Sequence, residues 1–299
     1  MKKIQANLLL LVVAVLWGGG FIFVEILLGS GMPAGMITML RGLIFAACTF
    51  AVFFKHIIRM TLADLKVGLI AGGTNALAFL LQAIGQSYTS PSHSALITVI
   101  YVVMVPIFCW IFYRIRPKIK TAISVIMCVL GAIVLVNGEA DGFGSKVLLG
   151  DLLVFAAAIM FGMNIAYLGH SGKQTHYGTV GFFMGVSLFA VSLIYVLVAG
   201  ETFSFNGNEW KVIGSLAYLG VLSSTLCQIL QVVCQRYTSP VSASMIMTLE
   251  GFFGGVFSLF YGDALTWHLV VGGLVIVVSL LIHEFDFSLF FKKKEDKKE

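Results

Sequence analysis

Three kinds of side chain in this sequence could do chemistry in apolar surroundings: a carboxylate at Glu250, a guanidinium at Arg41 and a series of amides at regular spacing. Glu250 falls near the middle of the apolar run 241–260. An ionised carboxylate there is costly without water or a partner, so it is a candidate to take up a proton or hold a substrate ammonium. The alternative is a neutral, hydrogen-bonded structural glutamate. Arg41 and Glu25 lie at similar distances from the short connection Gly29 to Met32. An ion pair between them is expected, because lone charges in such runs are expensive. Direct contact of Arg41 with a charged substrate and snorkelling toward the interface are the other readings. His93 could titrate or serve as an interfacial hydrogen-bonder.

The amides form faces. Asn75, Gln82 and Gln86 recur at intervals of seven and four, and Ser224, Gln228, Gln231 and Gln235 at four, three and four, which puts each set on one side of a helix. Amides both donate and accept hydrogen bonds, so these faces suit either a cavity for zwitterionic or hydroxylated solutes or interhelical packing. Asn164 is a further cavity candidate, and Trp17, Phe79, Tyr101, Tyr167 and Tyr218 could supply stacking walls or ordinary packing. Other chemistries lack their residues. There is no H-E-x-x-H and no G-x-S-x-G, and the five cysteines all sit inside apolar runs with no C-x-x-C pair. Disulfides, a metal site and a cofactor are not expected.

The elements that carry these residues are set by composition. Of 299 residues, 59% are hydrophobic and 11% charged, against about 25% charged in soluble domains. Apolar runs fall near 7–28, 33–54, 65–88, 92–114, 119–137, 147–168, 177–199, 210–235, 241–260 and 266–284, each near the ~20 residues that cross a bilayer as a helix. Only helices satisfy backbone groups within such segments. The expected fold is therefore an all-α integral membrane protein of ten transmembrane helices. The first run follows Lys2 and Lys3 and continues to about Leu28 without a small-residue cleavage site, so it reads as a span rather than a signal peptide.

Charge orients the spans. With the N-terminus inside, sixteen of nineteen Lys and Arg fall on the cytoplasmic side, including the tail lysines Lys292, Lys293, Lys294, Lys297 and Lys298; only Lys146 and Lys211 lie outside, and Arg41 is within a span. That asymmetry places both termini in the cytoplasm of a cell with an inner membrane as its site. The positive balance reads as orientation, so no nucleic-acid partner is expected.

The chain also repeats itself. Gln82-Ala-Ile-Gly-Gln86-Ser-Tyr88-Thr89-Ser90-Pro91 returns 149 residues later as Gln231-Val-Val-Cys-Gln235-Arg-Tyr237-Thr238-Ser239-Pro240, with six of ten positions identical. Leu16-Trp17-Gly18 is echoed more weakly by Met160-Phe161-Gly162. A displacement of half the chain points to duplication. Five spans per half makes the halves inverted: residues 1–142 and 143–286, with a basic cytoplasmic tail at 287–299. Inverted repeats place a substrate site at the midplane and alternate its exposure. Within the repeated turn, Ser90 and Ser239 suit N-caps, and Pro91 and Pro240 suit first helical positions. Pro106 should leave the Val102 carbonyl unpartnered, and its counterpart is Gly255. These four residues, Pro91, Pro106, Pro240 and Gly255, are the hinge candidates.

The pattern resembles the EamA-type members of the drug/metabolite transporter superfamily. The resemblance rests on Trp17-Gly18-x-x-Phe21, Arg41, the Tyr-Thr-Ser-Pro turn in each half, Leu249-Glu250, and Gly262-Asp263-x-Leu265. It departs where Gly251 follows Glu250 and where Arg114-Ile-Arg116-Pro117 closes the fourth span. The resemblance implies ten helices in two inverted five-helix repeats and an exporter or exchanger of amino acids, nucleosides, sugars or related compounds. The expected partners are a small-molecule substrate and the lipid bilayer, with room for a homodimer. Competing readings are a non-transporting membrane sensor or assembly protein, an intramembrane enzyme and a channel. The chain lacks the soluble domain, catalytic motifs and filter-like loop that these would use.

Overall fold

A computed structural model describes residues 1–89, 91–136, 145–259 and 267–284. Thirteen α-helices follow one another among these residues, and no strand occurs in the described part. Their arrangement matches ten membrane crossings. Three single helices open the chain: α1 (Lys3–Gly29), α2 (Ala34–Ile57) and α3 (Leu62–Gln86). The fourth crossing is divided into α4 (Pro91–Val99) and α5 (Tyr101–Tyr113), and α6 (Ile119–Val136) is the fifth. The second half repeats the order with α7 (Ser145–Ser171), α8 (Tyr177–Ala199), a composite eighth crossing, a divided ninth and α13 (Trp267–Glu284). The eighth is α9 (Glu209–Ala217), a π-helical stretch Tyr218–Leu226 and α10 (Cys227–Cys234); the ninth is α11 (Pro240–Met247) and α12 (Leu249–Ser258). Seven of these crossings are long and apolar enough to span a bilayer, and the remaining three are shorter apolar helices.

Local chemistry explains the ends. Thr61 and Asp64 form a reciprocal capping box at the start of α3. Asn208 caps α9 through its side-chain oxygen. The Ser239 hydroxyl accepts from the Ser242 N–H at 3.0 Å, with Pro240 opening α11 as expected. Ser90 lies outside the described residues, as do Gly262-Asp263-x-Leu265 and the tail 287–299. Pro91 likewise begins its helix, so both repeat prolines start helices and neither bends one.

The divided crossings were not expected. The breaks fall at Ile100 and Thr248 rather than at Pro106 and Gly255, which lie within α5 and α12. At Ile100 the backbone tightens, with Ile100 N–H donating to Ile97 at 3.1 Å and Val103 N–H to Ile100 at 2.9 Å. Pro106 cannot donate to the Val102 carbonyl, which lies in the first turn of α5 just after the break. At Thr248 the hydroxyl bonds back to the Ser244 carbonyl at 2.8 Å, a local competitor with the helix ladder.

The halves interlock by exchange. α1 packs on α12 while α7 packs on α5, and α2 packs on α8 while α6 packs on α13. Gly18 shows how close the first contact is. A Cβ there would lie 2.7 Å from the Glu250 carbonyl oxygen and 2.7 Å from the Gly254 nitrogen. Its counterpart Gly162 meets the other divided helix, with Met104 Cβ at 2.5 Å and the Tyr101 carbonyl oxygen at 3.3 Å. The Trp-Gly pair that opens the first half therefore marks where a first helix presses against the centre of the opposite divided one.

Candidate functional site

A cavity of about 30 Å³ lies between the halves. Its walls are built from repeat counterparts. Trp17 and Phe161, Phe21 and Ile165, Gln82 and Gln231, and Tyr101 and Glu250 all line it. Tyr101 directly follows the break at Ile100, and Glu250 lies two residues after the break at Thr248. The divided helices thus bring a phenol and a carboxyl, at equivalent positions, into one space.

Hydrogen bonds hold two of the wall residues in place. Trp17 donates its indole N–H to the Ser223 carbonyl at 2.8 Å. Gln82 donates to the Thr98 hydroxyl at 2.9 Å, bridging α3 and α4. Tyr101 is 1% exposed. Its hydroxyl neighbours Thr248 and Glu250 without a hydrogen bond of normal geometry to either. Glu250 is buried and lines the same space as Tyr101.

Arg41 departs from expectation. Its Nε donates to the Ser224 hydroxyl at 2.5 Å and its Nη2 to the Ser223 hydroxyl at 2.8 Å, and the guanidinium lies 4.0 Å above the Phe79 ring. Glu25, the expected ion-pair partner, is exposed and takes a 3.4 Å bond from Gln86. The π-helical stretch is the physical reason. Widening the eighth crossing over Tyr218–Leu226 turns two adjacent serine hydroxyls toward α2, and such stretches recur at functional sites.

The other amides tie helices together around the cavity. Gln228 donates to the Asn75 oxygen at 3.1 Å. Asn164 donates to the Ala71 carbonyl at 2.8 Å and accepts from Gln231 at 3.5 Å. Gln86 donates to the Phe21 carbonyl at 3.0 Å, and its counterpart Gln235 makes the equivalent bond to Ile165, also at 3.0 Å. The repeat is therefore preserved in the bonding as well as the sequence.

Of the expected cavity residues, Trp17, Phe79, Gln82, Gln86, Tyr101 and Gln231 line the space, joined by Arg41 and Glu250. Asn75, Asn164, Gln228 and Gln235 are buried in the helix packing and do not line it, and Tyr167 packs with Leu168 and Val180 in a separate apolar cluster. The side chain of His93 lies outside the described residues. Tyr218 donates to the Leu16 carbonyl at 2.8 Å and stacks on Phe23. Thr98 and Ser223 also line the cavity, and neither belongs to the spaced polar faces that the sequence displays. Ser223 adjoins the Ser224 face, and only a shift from α to π winding turns it to the same side.

At the face where α1 begins, a polar cluster ties the two halves. His176 stacks on His56 with ring centres 4.0 Å apart and 6° between planes. The backbone N–H of His176 donates to Asp64 at 2.7 Å, and Arg236 donates to the Thr175 carbonyl. Among the described residues no cluster of His, Cys, Asp and Glu could hold a metal ion.

Comparison with known proteins agrees with this architecture. An uncharacterized transporter of Archaeoglobus fulgidus is 28% identical over 283 residues, covering 94% of this chain and 86% of that protein. An uncharacterized transporter of Clostridium kluyveri is 23% identical over 207 residues, covering 66% of this chain and 64% of that protein. A protein of known crystal structure superposes with a TM-score of 0.78 at 14% identity, over 94% of this chain and 96% of that one, a likeness of fold. The model of the EamA-like transporter family matches twice, at residues 4–137 and 148–283. With each half matched in turn, this multi-pass membrane protein belongs to the EamA-like transporter family and is a transporter rather than an enzyme.

Proposed function

We propose that the chain is a secondary transporter that carries small polar metabolites, such as amino acids, nucleosides or related compounds, by alternating access, as an exporter or exchanger in the inner membrane. The observation that carries this reading is a single cavity walled by four pairs of repeat counterparts. Inverted halves around one site can exchange conformations, so that the site closes toward one face as it opens to the other. Exposed Glu25 and buried Gln86, joined at 3.4 Å, stand at the end of the cavity away from the face where α1 begins.

Glu250 is the residue proposed to couple the cycle, by binding a proton or a substrate ammonium between the halves. The test is flux in proteoliposomes across imposed pH gradients, comparing wild type with Glu250→Gln. The variant keeps shape and hydrogen-bonding capacity while removing the ionisable group. Loss of the pH dependence of flux is expected. Unchanged pH dependence rejects Glu250 as the coupling group, and absence of protein-dependent flux for amino acids, nucleosides and sugars rejects the transport reading.

A further inference from the structure

We infer that Arg41 is the receptor for a single carboxylate on the transported solute, which makes monocarboxylates the substrate class; this rests on the transport reading above. Arg41 is 5% exposed and lines the cavity. A guanidinium keeps its charge, and a charge inside a membrane protein is retained only with a counter-charge or water. Its hydrogen-bond partners among the described residues are the hydroxyls of Ser223 and Ser224, which orient it and neutralise nothing. The nearby carboxylates are used otherwise. Glu25 is held by Gln86, Glu201 accepts the backbone N–H groups of Gly35 and Met36, and Glu250 faces Tyr101.

The geometry selects the anion. The two serines occupy the Nε–Nη2 edge of the guanidinium, and Phe79 covers one face. Nη1 makes no hydrogen bond to a described side chain or backbone group and is not among the buried unpaired atoms, so the Nη1–Nη2 fork faces the cavity. Two parallel donors fit a carboxylate bidentately. One cation balances one negative charge, so a phosphate dianion would bring an excess. Glu250 on the same cavity repels a second carboxylate, so a dicarboxylate is disfavoured too. Phe79, Phe161 and Trp17 give the rest of the solute an aromatic surface.

The experiment uses the full chain in proteoliposomes with matched probes: leucine against leucinamide and phenylalanine against phenylalaninamide, with succinate, inorganic phosphate, uridine and glucose alongside. The acid of each pair should be carried about 10- to 100-fold better than its amide, the range expected for hydrogen bonds to a charged group. Arg41→Lys keeps the charge without the fork and should lower that acid-to-amide ratio at least about tenfold. Equal loss for acid and amide in Arg41→Lys assigns the residue to structure and overturns the inference. Equal flux of acid and amide in the wild-type protein overturns it without any variant, and so decides the matter if the lysine form fails to fold. Flux of uridine, glucose or phosphate in preference to the acids overturns the inference while leaving the transport reading standing. No flux for any probe overturns both.

Discussion

The contact at Gly18 gives a quantitative test of how the halves meet. A methyl group there would sit 2.7 Å from backbone atoms of Glu250 and Gly254 and 2.8 Å from the Phe253 Cβ. Ordinary contact begins near 3.4 Å, so α1 and α12 must separate by about 0.7 Å (3.4 minus 2.7) before Gly18→Ala fits. Both opposing atoms at 2.7 Å are backbone and cannot swing aside. Overpacking of this kind costs about 1–3 kcal/mol, against about 0.5–1 kcal/mol gained by replacing a helical glycine with alanine. The net expectation is a loss of up to about 2.5 kcal/mol by that difference, centred on about 1 kcal/mol. Gly73 supplies the control, because nothing lies within 4 Å of its Cβ position and it sits inside α3. Gly73→Ala should be neutral or slightly stabilising. Thermal unfolding of the purified chain in one detergent, followed by circular dichroism, compares the two. Equal midpoints for Gly18→Ala and Gly73→Ala would refute the close approach of α1 to the second divided helix.

Two further outcomes follow from the polar interior. Replacing Asn75 and Gln228 by alanine, singly and together, should give a coupling of about 0.6 kcal/mol and at most about 1.7, the range for interhelical hydrogen bonds in membranes; additive losses would deny the 3.1 Å bond between them. His176 caps α8 by accepting the Thr179 N–H on Nδ1 at 3.4 Å. Burial, with His56 and Arg236 nearby and Asp64 opposing, holds its imidazole below the usual 6.5. The folded state therefore favours the neutral ring. Stability from this site is full above about pH 6.5 and declines as pH falls through that value toward the lower folded one. His176→Asn keeps a capping oxygen without titrating, and should flatten the acid side of a midpoint-against-pH curve; an unchanged slope would exclude His176 as the source.

Much of the fold was legible because hydropathy and duplication are properties of the chain itself. The ten crossings follow from run length and apolarity, and the Gln-x-x-x-Gln echo carries its meaning directly: Gln86 and Gln235 make the same bond in their respective halves. The amides show where such reading ends. Periodicity gives the angle of a residue around its helix and says nothing of depth, so Gln82 and Asn75, on one face of α3, part company. The first reaches the cavity and the second the helix packing. Sequence distance from a shared turn pairs Arg41 with Glu25, whereas its partners are serines on the other half, brought round by a change in helical winding. The breaks at Ile100 and Thr248 carry neither glycine nor proline at the break itself. They arise where back-bonding, a proline later in the helix and close neighbours combine, which no single residue announces.

Among the paired residues of the cavity wall, Gln82 and Gln231 are identical and Trp17 and Phe161 are both aromatic, whereas Tyr101 and Glu250 set a phenol against an acid. In the alternation proposed above, an exchange of shapes between the halves would leave the amides in like surroundings and move the acid into those the phenol had held. The two orientations would then differ in free energy, and a proton gained or lost at Glu250 would shift the balance between them.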